Sequence, residues 1–193
     1  MDIVSYNKNE EGYRIYCLES VDDVENFSNS ETLIFLEFLA LEKQITNVYQ
    51  VCDHFEGLEE SISNLLYADK YFNDYRIIYL DFNGDSERIE IDGYFYTMEE
   101  IAELFEGKLK GKIIHFSNKK IVDLPEETFQ YFLDVTGAKA LSGYTKKSHI
   151  ASKILDQHFF EAYKNNDEVV DLVEELIDKQ TALCNLLGFQ MYY

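Results

Sequence analysis

The run Tyr75-Arg-Ile-Ile-Tyr-Leu-Asp-Phe82, closed by Asn83-Gly84, constrains this chain more than any other segment. Its apolar residues are nearly continuous rather than alternating, so a strand built from it must be covered on both faces. Such a strand belongs at the centre of a sheet with helices above and below.

The flanking sequence supplies those helices. Tyr13-Arg-Ile-Tyr-Cys-Leu18 and Asn47-Val-Tyr-Gln-Val-Cys52 read as strands, rich in β-branched and aromatic residues. Between them, Thr32 to Gln44 reads as a helix apolar on almost every face, which suits burial between a sheet and another layer. Leu58, Ile62, Leu65, Leu66 and Phe72 mark a second helical stripe. Arg88 to Tyr96 is two short alternating segments around Asp92-Gly93, a type I′ hairpin signal. Thr97 and Glu100 form a capping box, and Gly107 is a stop for the helix it opens.

Lys112 to Phe116 is a further strand. Pro125 opens a helix that Gly137 closes, and Ala138 to Tyr144 is a last, weaker strand. Helices at about Lys146 to Tyr163 and Glu168 to Leu187 finish the chain, and Val21 to Glu31 reads as an acidic surface loop. Strand–helix alternation with crossover-length connections predicts a three-layer α/β/α sandwich on a mostly parallel sheet. The whole of 1–193 reads as one domain, with 146–193 a helical pair packed on it.

The chain carries 37 acidic and 17 basic residues, a formal net charge of −20. That excess argues against gripping nucleic-acid phosphates or an anionic membrane. Neither a signal peptide nor a membrane span is legible, which expects a cytoplasmic protein. Cys17, Cys52 and Cys184 are odd in number and lack ligand spacing, so they read as core thiols rather than a disulfide framework or a zinc site. No metal or other cofactor is expected.

Sites in such sheets form at the carboxyl ends of strands. The sequence offers no phosphate-cradling glycine loop and no nucleophile elbow there. His115 alternates with Ile114 and Phe116 inside a strand, which expects a sheet residue with a satisfied ring. His149 and His158 share no metal-ligand spacing, and His54 beside Asp53 is positioned to titrate near neutrality. Ser117, after a strand, reads as turn chemistry more readily than as a nucleophile.

The order of the pieces resembles that of caspase-like (clan CD) cysteine peptidases, and more closely a small bacterial group related to CHAT-type caspase-like domains. The resemblance rests on residues 12–19, 75–84, 111–117 and 136–144. It implies a caspase-like fold in which the general-base His follows the third main strand and the nucleophile Cys the fourth. Members with an intact dyad read Phe-His-Gly where this chain has Phe82-Asn83-Gly84. They carry Cys two or three residues beyond the position of Phe116, where this chain has Asn118 and Lys119. An amide has no useful basicity near neutral pH, and neither replacement is a thiolate. The resemblance thus implies a cysteine peptidase that has lost both halves of its dyad, a pseudoprotease acting as a binding or regulatory module with a protein partner.

Charge is sided. Residues 1–96 carry a net −15 and residues 97–193 a net −5, while 107–153 is locally +5. Asn83, Ser117, Asn118, Lys119, Lys120, Lys146 and Lys147 all follow strands and would form a rim able to hold an acidic peptide or a phosphate. The plainer reading is a set of solvated lysines. The terminal helix and its aromatic tail Phe189-Gln-Met-Tyr-Tyr193 would cover the sheet, or else leave a self-association face for a homodimer. Two other functions fit less of the sequence: an acidic inhibitor or nucleic-acid mimic, and an enzyme of unrelated chemistry using Lys119, Ser117 or His115 at the same edge.

Overall fold

The computed structural model describes residues 14–25, 30–85, 87–120, 123–146, 149–166 and 168–193, without the side chains of 118–120 and 149. The strands are β1 (Arg14–Ser20), β2 (Thr46–Cys52), β3 (Tyr75–Asp81), β4 (Asn83–Gly84), β5 (Arg88–Ile91), β6 (Tyr94–Thr97), β7 (Ile113–Lys120), β8 (Ala140–Tyr144) and β9 (Phe189–Tyr192). The helices are α1 (Glu31–Lys43), α2 (Phe55–Tyr67), α3 (Met98–Glu103), α4 (Glu126–Thr136), α5 (His149–Asn165) and α6 (Val169–Leu187).

Six strands form one sheet in the order β2-β1-β3-β7-β8-β9, parallel except for the antiparallel β8–β9 pair. The run that demanded cover on both faces, β3, is interior, and its residues from Ile77 to Tyr79 are fully buried. Period-two alternation sends successive side chains to opposite layers. Tyr16, Leu18, Ile78, Leu80, Ile114 and Phe116 pack with Leu58, Ile62 and Leu65 of α2, Ile101 of α3 and Phe132 of α4. Ile15, Cys17, Ile77, Tyr79 and Ile113 pack with Leu36 and Leu39 of α1, Leu155 and Phe159 of α5, and Leu172 and Leu176 of α6. The three cysteines are buried and free.

Local signals explain the connections. Asp92 and Gly93 both take positive φ (51° and 75°), as a type I′ turn requires, and join β5 to β6. Thr97 accepts from the Glu100 amide at 3.2 Å while Glu100 accepts from the Thr97 amide at 2.7 Å, closing the capping box on α3. Gly137 ends α4 in the left-handed conformation.

Three expectations change. α2 stops at Tyr67, and Phe72 belongs to a separate 3-10 turn, Phe72–Asp74, instead of extending the helix. The Asn83-Gly84 step is a two-residue strand that makes the hairpin a three-stranded sheet, β4-β5-β6. The aromatic tail is β9, hydrogen-bonded along β8, with Phe129 stacked on Tyr192 at 4.4 Å. Helix α5 is described from His149, and Lys147 and Ser148 lie outside the described residues, as do 26–29 of the acidic loop.

Candidate functional site

The carboxyl ends of β1, β2 and β3 open on one cleft of about 240 Å³, lined by Ser20, Val21, Asp22, Asp53, Asn83, Glu90, Asp92 and Gly93. Each strand contributes the residue at or just past its last ladder position, and the β5–β6 hairpin folds back to close one side. Four of the lining residues are carboxylates. His54 stands beside the cleft as the N-cap residue of α2, its Nδ1 2.5 Å from Asp53 Oδ1. That bond raises the imidazole above its ordinary 6.5 and lowers the Asp53 carboxyl.

Strands β3 and β7 are parallel neighbours with Leu80 opposite Phe116, and Cα atoms of β4 and β7 approach within 8 Å. Asn83 is therefore beside the carboxyl half of β7, and its own surroundings in the cleft are acidic. The expected rim is not assembled as a unit by the described residues. Ser117 is fully buried in the core and stands on no rim. Lys146 is exposed, and its ammonium donates to the Asn185 carbonyl near the end of α6 at 3.1 Å. The side chains of Asn118, Lys119 and Lys120, and the residue Lys147, lie outside the description.

Beneath the edge, α5 lays two charged residues onto the sheet. Lys153 donates to Thr32 Oγ1 (2.8 Å), Tyr79 Oη (2.9 Å), Asp81 Oδ2 (2.8 Å) and Ser117 Oγ (3.1 Å). One turn on, Asp156 accepts from His115 Nε2 (2.8 Å), Tyr144 (2.5 Å), Tyr79 (2.5 Å) and Ser117 (3.2 Å). Thr32 also donates to Asp81. Burial, then the carboxylate of Asp156, pushes the Tyr79 and Tyr144 hydroxyls well above their ordinary range, so both remain donors. Burial pulls the Lys153 ammonium down, but Asp81 and Asp156 outweigh it and the net shift is upward.

Ser142 Oγ, 2.8 Å from His115 Nδ1, completes a hydroxyl–imidazole–carboxylate chain with Asp156. The connectivity is that of a serine-hydrolase relay. Its surroundings are not. Ser142, His115 and Asp156 are all 0% exposed, and none of them lines the cleft. Ser142 sits mid-strand in β8 with β7 and β9 on either side, and the His115 ring is stacked on Phe159 at 4.6 Å. No reacting group can approach, so the chain orients the core and fixes α5 on the sheet. The imidazole is satisfied at both nitrogens, as its alternation within the strand implies.

The thiols are equally remote from chemistry. Cys52 ends β2 but is 2% exposed, and burial pushes it up to about 12. Cys17 is raised further by burial and then by Asp81. Neither is a thiolate at neutral pH. Among the described residues no cluster of His, Cys, Asp and Glu has the makings of a metal site.

Sequence reasoning missed Lys153 and Asp156. The available signal was their position: Asp156 lies in the same α5 stripe as Ser152, Leu155, Phe159 and Phe160, where an amphipathic helix should carry only core residues.

Fold and site together define an α/β protein on a mostly parallel six-stranded sheet, with an acidic strand-end cleft above a sealed polar centre. The chain belongs to DUF6642, a family of unknown function whose model matches residues 12–193. No curated protein matches it. Among the described residues no helix is long and apolar enough to cross a membrane.

Proposed function

We propose that this protein is a catalytically inactive caspase-like domain that works by binding a protein partner. The observation that carries the reading is the adjacency of two strand ends. Asn83 follows β3, its neighbour β7 bears Asn118 and Lys119, and β4 runs within 8 Å of β7. The reading requires that a thiol and an imidazole placed at those positions come within reach of each other, and the chain has neither residue there. His54, at the same edge, is bonded to Asp53 at the end of β2, and the three thiols are buried. The relay at Ser142 is enclosed and offers no substitute chemistry. What the edge retains is a cleft with hydrogen-bonding and charged walls, which is the equipment of recognition rather than of turnover.

Reinstating the missing groups tests this. With Asn83→His combined with Lys119→Cys, the introduced thiol should react with iodoacetamide near neutral pH roughly tenfold faster than with Lys119→Cys alone, since a paired thiol holds more thiolate. Asn118→Cys on the same background covers the alternative register, and matching unfolding temperatures confirm the fold. If neither pairing accelerates alkylation, the strand ends do not have dyad geometry and the reading falls.

A further inference from the structure

The sequence makes α1 apolar on almost every side, and the sheet covers only one of them. Successive helical residues turn by 100°, and Thr32, Leu36 and Leu39 fix the inward direction. Ile34 and Leu41 point the opposite way, with Phe38 beside them, and they are 57%, 80% and 41% exposed. A helix with one face in solvent ordinarily carries charge at those positions. The neighbouring α5 repeats the pattern: Leu155 and Phe159 face the core, while Ile150 and Ile154 are exposed. The two helices run side by side in the same direction, tied by Lys153 to Thr32, by Phe35 against Phe160 at 6.4 Å, and by Lys43 to Glu161 at 2.7 Å. Isolated exposed apolar residues are ordinary. An i, i+4, i+7 set along one face of α1, with a further exposed i, i+4 pair on the neighbouring helix, is more than isolated exposure.

We propose that this outer α1–α5 face is the docking site for a basic amphipathic helix of another protein. The charge around it selects the occupant. Glu37 flanks Ile34 and Leu41 on one side, Glu31 and Glu42 lie beyond Phe38 on the other, and all three are exposed. The cation on α1 itself, Lys43, is already paired with Glu161. A second copy would set these carboxylates against their own equivalents, on a chain of net charge −20, and an anionic lipid surface would be repelled likewise. A helix with Leu, Ile or Phe anchors at i, i+4 and i+7, flanked by Lys or Arg, satisfies both the apolar strip and its acidic borders. The site lies on the helical layer, away from the strand-end cleft, and stands whether or not that cleft descends from a peptidase.

The probe is a synthetic Leu–Lys helix of about 18 residues with helical leucine spacing, compared with a scrambled peptide of identical composition and charge. Titrated into the full chain, the ordered helix should bind about tenfold or more tightly than the scrambled one, the gain coming from burial of the leucines. Ile34→Ser with Leu41→Ser should abolish that preference while leaving the unfolding temperature unchanged, because both side chains are exposed, and Phe38→Ser should weaken it. A preference that survives the double substitution overturns the assignment, as does equal affinity for the two peptides. A wild-type dimer that the same substitutions convert to monomer would overturn it too, by giving the face to a second copy.

Discussion

Lys153→Met removes one ammonium from a centre where it holds two strands, β3 and β7, and two helices, α1 and α5, to one point. The side chain is close to isosteric, so the loss is electrostatic rather than a cavity. Four contacts go at once: Thr32, Tyr79, Asp81 and Ser117, all within 3.1 Å. Asp81 is 4% exposed and Asp156 0%, so the substitution leaves two buried carboxylates with no ammonium between them. Breaking a buried pair from one side costs about 3–5 kcal/mol. For a chain of this size that corresponds to a fall in unfolding temperature of roughly 6–20 °C. The pKa of Lys153 is raised, so the contribution is present below its ordinary 10.5 and is lost only as pH climbs through the folded value. Urea denaturation at neutral pH therefore reads the full effect. Asp81→Asn in the same chain removes the stranded carboxylate that was paired directly with Lys153 and should restore at least half of the loss, because deleting both partners of a buried pair is far less costly than deleting one. A single-variant cost below about 1 kcal/mol, or simple additivity in the double variant, would refute the idea that α5 is seated by this ion cluster.

Two further predictions concern the fold's stability. Burial, with Arg76 adding to it, lowers the Lys112 ammonium from 10.5 to about 8, where it donates to the Phe72 and Tyr75 carbonyls at 2.7 Å each. The folded state then binds fewer protons than the unfolded one between those values, so wild-type stability should rise relative to Lys112→Met as pH goes from 8 to 10.5; parallel curves would contradict the shift. Gly137 has φ +70°, and a Cβ there would stand 2.8 Å from the Gly107 carbonyl oxygen. Gly137→Ala should cost roughly 1–3 kcal/mol by denaturant unfolding, whereas Gly93→Ala, with nothing near its Cβ site, should show only the smaller cost of its positive φ.

Much of the fold is legible because its signals are local. The continuous apolar run puts β3 inside the sheet, Asp92-Gly93 sets the hairpin, and Thr97 with Glu100 starts α3. What escapes is non-local. β4 is two residues long and exists only because Asn83 and Gly84 pair with Glu90 and Ile89. β9 is four residues whose partner, β8, lies more than forty positions upstream, so the tail carries no strand signal of its own. The apolar surround of Thr32 to Gln44 expects two covering layers, and among the described residues the outer side of α1, at Ile34, Phe38 and Leu41, stays exposed. Charge along the sequence misleads at the edge, because the lysine-rich stretch 107–153 contributes Lys153 to the core, while Asp22, Asp53 and Asp92 from connecting segments and Glu90 from β5 meet at the cleft. The placement of Asn83 beside β7 follows from strand order and could be anticipated. The polar centre around Asp156 required knowing which residues of α5 face the sheet.

The central claim, that the strand-end edge recognises without cleaving, is tested most directly by incubating the wild-type chain with a complex peptide mixture and reading new termini by mass spectrometry. No new terminus above the buffer control is expected, and none that changes with Asn83→Ala or Lys119→Ala. Cleavage that either substitution abolishes, in a protein that remains folded, would show a working catalytic centre at that edge and contradict the claim.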